Sequence, residues 1–228
     1  PHPDTLGRMN DEPACSLTVY HYPEAVARSA HFAVRINDQP VEVLHTAIAD
    51  VVAAACAGRM QIEISVAAPP ERVIIRPLRR GIAHACAGQS VRFVLDAPCH
   101  ACVEIDGLPQ LFFHLDPPEE CAPAPSEAGV HYFESGMVHE AGELELKSGE
   151  RVYIAGGAIV RGRIWAADAR DVSVGGRGIL VSPPIVQRPQ RRRTLHFERC
   201  AQVRVEGITV WNHTTPCAWT AACYGCRD

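Results

Sequence analysis

The sequence has almost no lysine, no marked excess of charge of either sign and no long apolar run. Lys147 is the one lysine among 22 basic residues, and 26 acidic residues give a formal net charge of −4. This balance excludes a broad electrostatic surface for nucleic acid or an anionic membrane. The longest apolar candidate, residues 47–58, is interrupted by Asp50 and is too short to cross a bilayer. We therefore expect no nucleic acid and no membrane among the partners.

The composition is that of a folded globular chain. Of the 228 residues, 47% are hydrophobic and 21% are charged, which excludes a disordered chain and allows one large domain or two modest ones. The first residue is Pro1 rather than methionine, and no signal peptide follows it. We therefore expect a processed chain or a part of a longer one.

Ten cysteines are an unusual number for a chain of this length. Cys99 and Cys102 have the spacing of half a zinc site, and so do Cys223 and Cys226. The two pairs belong to different predicted domains, and the second pair falls on apolar positions of a repeat described below. Buried structural thiols are the favoured interpretation, with disulfides and a metal site as the alternatives. We predict no metal and no cofactor.

Residues 14–116 show short β-patterned runs about ten residues apart, which favours a β-sandwich domain. Residues 32–36 and 41–43 alternate around a turn and predict a hairpin. The other predicted strands are residues 61–66, 72–76, 90–95, 102–105 and 111–114. Residues 47–57 are rich in alanine and are followed by Gly58, so they predict a short helix.

The second half of the chain carries a repeat. Residues 117–129 are rich in proline and predict a linker. Beyond it, residues 164–176 align with residues 195–207 at a constant offset of 31, and a third copy begins at Cys226. Such intervals are typical of a parallel β-solenoid, in which each coil buries its face against the next. Residues 182–193 then predict a lateral loop between two copies. The predicted fold class is all-β, with a sandwich followed at residues 130–228 by the first coils of a right-handed parallel β-helix.

Residues 142–162, 171–180 and 207–226 resemble successive coils of the β-helix in polygalacturonase-like glycoside hydrolases. The families in question are glycoside hydrolase family 28, of pectin type, and family 49, of dextranase type. A β-sandwich ahead of the β-helix is known in this group. The resemblance implies hydrolysis of a polysaccharide by a general acid and a general base carboxylate.

The resemblance places the catalytic aspartates on coils after Asp228. The family 28 signatures Asn-Thr-Asp, Asp-Asp, Gly-His-Gly and Arg-Ile-Lys are absent here. An inverting glycosidase needs two carboxyl groups about 6.5–9.5 Å apart. Asp171 and Asp228 occupy equivalent positions of the repeat with Gln202 between them, but solvated turn carboxylates are the favoured interpretation. We therefore predict no catalytic residue in these 228 residues and expect the chain to be the inactive front end of a longer solenoid.

Substrate contact is predicted for Trp211, His213 and Trp219, because aromatic faces pack on pyranose rings; packing within the coils is the alternative. The basic cluster at residues 188–193 is interpreted as a solvated loop that could contact a carboxylated sugar. The expected partner is a polysaccharide, the expected state is a monomer, and the expected location is secreted or periplasmic.

Two rival functions stay open. The first is a non-catalytic carbohydrate-binding or structural β-helix module. The second rival is a calcium-dependent lyase on the same solenoid, which ranks below both the hydrolase and the binding module. Only Asp168 and Asp171 come near the carboxylate cluster that such a lyase needs.

Overall fold

The computed structural model describes residues 15–182, 193–211 and 221–227, and it consists of β-strands joined by turns. The described part of the chain contains no α-helix, and a single turn of 3-10 helix spans Leu78–Arg80. No helix in those ranges is long and apolar enough to span a bilayer. The predicted all-β class is confirmed: a β-sandwich is followed by coils of a right-handed parallel β-helix.

The sandwich is formed by the first strands of the chain. They are β1 (Ser16–Val19), β2 (Ala33–Ile36), β3 (Gln39–Val41), β4 (Leu44–His45), β5 (Asp50–Ala57), β6 (Met60–Ser65), β7 (Val73–Arg76), β8 (His84–Ala87), β9 (Ser90–Leu95), β10 (His100–Ile105) and β11 (Leu111–Asp116). One sheet has the order β1-β5-β11-β10-β7 with β4 beside β5, and the other has the order β3-β2-β6-β9-β8. The predicted hairpin is β2 and β3, where Asn37 and Asp38 adopt φ values of 48° and 61° in a two-residue turn. The other predicted strands correspond to β6, β7, β9, β10 and β11.

The predicted helix at residues 47–57 is wrong, because this segment contains strand β5. β5 lies between β1 and β11 and is buried along almost its whole length. Val52 and Ala54 belong to the sandwich core, whereas Ala53 faces the opposite side and is buried there too. A strand covered on both faces needs small apolar residues at consecutive positions, and that tertiary demand overrides the helical preference of alanine.

The β-helix follows in four coils. Coil one contains β12 (Val130–Phe133) and β13 (Val138–Glu145), and coil two contains β14 (Arg151–Ile154) and β15 (Ile159–Ala167). Coil three contains β16 (Arg170–Gly176), β17 (Ile179–Val181) and β18 (Leu195–Glu198). Coil four contains β19 (Ala201–Val205), β20 (Thr209–Trp211) and β21 (Ala221–Tyr224). Every pairing between coils is parallel in the described strands.

The offsets of the sequence repeat are confirmed by the register of these ladders. Ile164 pairs with Leu195, and the offset of 31 residues continues from β16 to β19. Phe197 pairs with Cys223, which is the predicted offset of 26. Inward apolar side chains therefore stack on one another from coil to coil, as a solenoid requires.

An insertion interrupts coil three between β17 and β18, the two strands that pair with successive parts of β15. Strand β15 is continuous, but its first part pairs with β17 and its second part with β18. Val181 faces Arg161 and Leu195 faces Ile164, so the chain between Val181 and Leu195 is an insertion relative to coil two. The predicted lateral loop at residues 182–193 falls here, and most of it lies outside the described residues.

The buried side chains form three clusters: one inside the sandwich, one inside the β-helix and one between them. The third, which we call the seam cluster, consists of Tyr22, Leu44, Ile159, Ile179 and Val181. Residues 117–129 contain no strand and run from β11 to β12. The domain boundaries at 14–116, 117–129 and 130–228 themselves stay a prediction.

Close contacts join the sandwich to the β-helix around the seam cluster. The ring of Tyr20 lies against Gly156, where a Cβ atom would overlap the ring and lie 2.7 Å from its Cζ. Nδ1 of His114 on β11 lies 3.1 Å from Oγ1 of Thr209 on β20. The sheet that contains β11 therefore faces the β-helix with its outer side.

Replacing His114 with glutamine is expected to remove an acid-sensitive part of the stability. Burial lowers the pKa of His114, His100 lowers it further, and Asp116 opposes them. A lowered pKa means that the folded state binds fewer protons, so this stability is present above the ordinary value of 6.5 and is lost as the pH falls through the lowered value. Glutamine keeps a hydrogen-bonding group near Thr209 but cannot be protonated.

The measurement is urea unfolding at several pH values between roughly 5 and 8. The native chain should lose more unfolding free energy on acidification than the glutamine variant does. His31→Gln, at an exposed position of the sandwich, is the control and should follow the native chain. Parallel curves for the native chain and His114→Gln would show that this histidine does not titrate against folding.

Candidate functional site

One outward side of the β-helix carries aromatic side chains on consecutive coils. Alternation along β15 buries Ile164 and Ala166 inside the β-helix and turns Trp165 outward. The same alternation on β18 turns His196 outward, beside Trp165. Other outward side chains lie beside these two in the register of the same strands. We call the whole set the aromatic face: Glu145, Trp165, His196, Glu198 and Tyr224.

Parallel pairing gives the aromatic face its spacing. Glu145, Trp165 and His196 are paired across three consecutive coils, and Glu198 pairs with Tyr224 on the fourth. Adjacent strands lie about 4.8 Å apart, so these side chains form one continuous surface. The rings of His196 and Tyr224 are tilted by 45° with their centroids 5.5 Å apart, and Tyr224 is 46% exposed.

An arginine fixes the charges at the edge of this face. Nε and Nη2 of Arg199 each donate to a carboxylate oxygen of Asp168 at 2.7 Å, and Nη1 donates to Glu198. Asp168 and Arg199 both have positive φ values, of 52° and 51°, because they occupy the same turn in successive coils. The hydrogen bonds from Arg199 hold the pKa of Asp168 below its ordinary value.

Four carboxyls of the described residues have pKa values below the ordinary value. Asp168 and Glu150 have lowered pKa values because arginine or backbone donors stabilise their charged forms. Side-chain hydrogen bonds lower the pKa values of Glu63 and Glu104 in the sandwich. A general acid needs a raised pKa, so none of these four carboxyls suits that role.

The carboxylate pair considered in the sequence is only partly described. Asp171 and Gln202 occupy the same turn in successive coils, with φ values of 54° and 56°, and Asp171 is exposed. Asp228 lies outside the described residues. Exposed turn positions of this kind agree with solvated carboxylates.

Of the three residues predicted to contact substrate, only Trp211 lies within the described residues; His213 and Trp219 lie outside them. Trp211 ends β20 and packs against the seam cluster, and its Nε1 is buried with no partner in the described part of the chain. It lies in the half of the β15 sheet formed with β17 and β20, whereas Trp165 lies in the half formed with β18 and β21. Contact between Trp211 and a substrate stays a prediction.

Sequence reasoning did not select Trp165 or His196, although both were visible in the repeat. The offset of 31 superposes them, and both alternate with apolar residues. The signal in the sequence was that two aromatic side chains occupy the same outward position of the repeat. Of the basic cluster at 188–193, only Arg193 is within the described residues.

The cysteines of the two spaced pairs and of the repeat are not all buried. Cys102 and Cys200 are buried, whereas Cys223 is exposed and Cys226 is half-buried. The predicted burial of Cys223 is therefore wrong, because in the described residues no further coil covers its inward position. In residues 15–182, 193–211 and 221–227, no group of three or more His, Cys, Asp or Glu side chains could hold a metal ion.

Comparison with known proteins supports the fold. No protein-family model matches the sequence, and no curated protein matches it. Among solved structures the chain is similar to Dex49A from Penicillium minioluteum, with a TM-score of 0.62 and 11% sequence identity. The match covers 92% of this chain and 60% of Dex49A, so the chain spans less than two thirds of that protein. The likeness shows a β-helix fold similar to that of Dex49A.

Proposed function

We propose that this chain belongs to a glycoside hydrolase that acts on a polysaccharide and that its aromatic face holds part of the sugar chain. The observation that carries the proposal is the row of Trp165, His196 and Tyr224 on successive coils. Aromatic rings on neighbouring coils of one sheet suit the apolar faces of a chain of pyranose units. The family 49 type of fold supports the hydrolase class.

The acid and base of the reaction belong, in this proposal, to coils formed by residues after Asp228. The described carboxyls with displaced pKa values are all lowered, as Asp168 illustrates. An inverting enzyme also needs its second carboxylate about 6.5–9.5 Å away with room for a water molecule. The present residues would then bind and position the polymer, which we place in either the dextran-type or the polygalacturonate-type class.

The proposal is tested by reading the coding region past Asp228 and assaying both chain lengths. We expect the 228-residue chain to release no reducing sugar from dextran or polygalacturonate. The chain carried through to the end of its reading frame should hydrolyse one of them, and replacing its paired aspartates with asparagine should abolish the reaction.

Two results would overturn this assignment. Release of reducing sugar by the short chain would place the catalytic carboxyls among the residues present here. A stop codon directly after Asp228, together with sugar binding, would favour the rival function of a non-catalytic carbohydrate-binding module.

A further inference from the structure

A large groove lies on the outer side of the sandwich sheet β3-β2-β6-β9-β8, with a volume of about 1000 Å³. The other sheet contacts the β-helix through His114 and Thr209, so the groove faces away from the seam. Four arginines and three acidic residues line it, although the whole chain is acidic with a net charge of −4. The groove is therefore a locally basic site on an acidic protein.

The floor of the groove is a row of charges fixed by strand register. Arg35, Glu63 and Arg92 are paired across β2, β6 and β9, and all three point away from the sandwich core. Nε and Nη2 of Arg92 donate to one oxygen of Glu63 at 3.0 Å and 2.8 Å. Hydrogen bonds from Ser90 and Arg92 hold the pKa of Glu63 below its ordinary value. Glu63 thus neutralises Arg92, while Arg35 donates a hydrogen bond to the main-chain oxygen of Asp38, which also lines the groove.

The wall of the groove adds a second cation. Arg80 ends the 3-10 turn Leu78–Arg80, which Gly81 closes with a φ of 57°. In the part of the chain that the structure describes, Arg80 forms no ion pair, whereas Arg59 on the rim lies 3.6 Å from Asp96. The guanidinium of Arg80 is therefore open to an anionic ligand.

We propose that this groove binds a saccharide chain that carries uronic-acid carboxylates, with Arg35 and Arg80 as the carboxylate-binding groups. The planar guanidinium group matches a carboxylate with two parallel hydrogen bonds, which is why arginine suits this role. Ile82 and Val94 line the same groove and offer apolar contact to the carbon–hydrogen faces of sugar rings. The saccharide identity of the ligand rests on the proposed function, but the preference for a carboxylate rests on the groove alone.

The test is calorimetric titration of the 228-residue chain with galacturonate oligomers at low salt. Fully methyl-esterified oligomers, which keep the sugar backbone and lose the charge, are the matched ligand. Arg80→Ala should weaken binding of the charged oligomer by about tenfold. Arg79→Ala is the matched control, because it alters the same turn outside the groove lining and should stay within about twofold of the native chain. Raising the salt concentration should weaken binding further.

Equal affinity for the charged and esterified oligomers would overturn the proposal, and so would equal losses in Arg80→Ala and Arg79→Ala. Absence of binding by the native chain would overturn it as well. These readouts do not involve hydrolysis. Failure of the hydrolase assignment would appear in the reducing-sugar assay, whereas failure of the groove assignment would appear only in this titration.

Discussion

Replacing Gly176 with alanine is expected to cause the largest loss of stability of any single methyl addition in the β-helix. An added Cβ would overlap the carbonyl oxygen of Ile154 and lie 2.7 Å from its carbonyl carbon. That oxygen already accepts hydrogen bonds from the amides of Arg177 and Gly178, both at 2.9 Å. The backbone of the neighbouring coil cannot move aside without breaking these bonds, and Gly176 also has a φ of 117°. We expect a loss of more than about 3 kcal/mol in the free energy of unfolding.

The matched control is Gly136→Ala, which isolates the effect of backbone conformation. Gly136 also has a positive φ, of 74°, but a Cβ there would have nothing within 4 Å. Its replacement should cost only about 1–2 kcal/mol of left-handed strain. Urea unfolding of both variants measures the difference. Equal losses would mean that the close approach between coils two and three does not constrain Gly176.

The β-helix could be predicted from the sequence because the spacing of its apolar residues repeats with the register of the coils. The superposition of residues 164–176 on 195–207 is the pairing of β15 with β18 and of β16 with β19. A solenoid contacts only its neighbouring coils, so a local repeat contains most of the information about the fold. The approach of Tyr20 to Gly156, by contrast, joins residues with no repeat relationship and left no signal in the pattern.

The strand β5 could not be predicted, because its environment is set by distant parts of the chain. Alanine favours a helix unless other elements cover both sides of the segment. Here one side of β5 faces the sandwich core, and Ala53 pairs with His114, which reaches the β-helix at Thr209. The helix propensity of the segment contains no information about which part of the chain covers its second face.

Substrate contact by Trp211, His213 and Trp219 stays a prediction, whereas the proposed aromatic face consists of other residues. Trp211 was selected because it is an aromatic residue in a recognisable coil, yet it packs against the seam cluster. Trp165 and His196 lie in the half of the sheet that pairs β15 with β18, and only that pairing shows that they are neighbours. Choosing between aromatic residues of a solenoid requires knowing which side the adjoining domain covers.

Replacing Trp165 with alanine is expected to weaken binding of neutral sugars by about 2 kcal/mol, or roughly thirtyfold in Kd. Trp165 has the largest ring of the aromatic face and lies between Glu145 and His196 in register. Titration with isomalto-oligosaccharides measures this face alone, because such sugars lack the carboxylates that the sandwich groove is proposed to bind. Tyr224→Ala, at the exposed end of the row, should have a smaller effect.

A conservative variant separates sugar stacking from a structural role of the indole. Trp165→Phe retains an aromatic ring and should recover most of the affinity that alanine loses, while both variants should unfold at similar urea concentrations. If a loss of stability accounts for the whole fall in sugar affinity of Trp165→Ala, then Trp165 stabilises the coil and does not bind the sugar. If alanine leaves both affinity and stability unchanged, the polymer must lie on another side of the β-helix. The part of the β15 sheet formed by β17 and β20 contributes to the seam cluster, which leaves the outward side of β12, β14, β16 and β19 as the next surface to test.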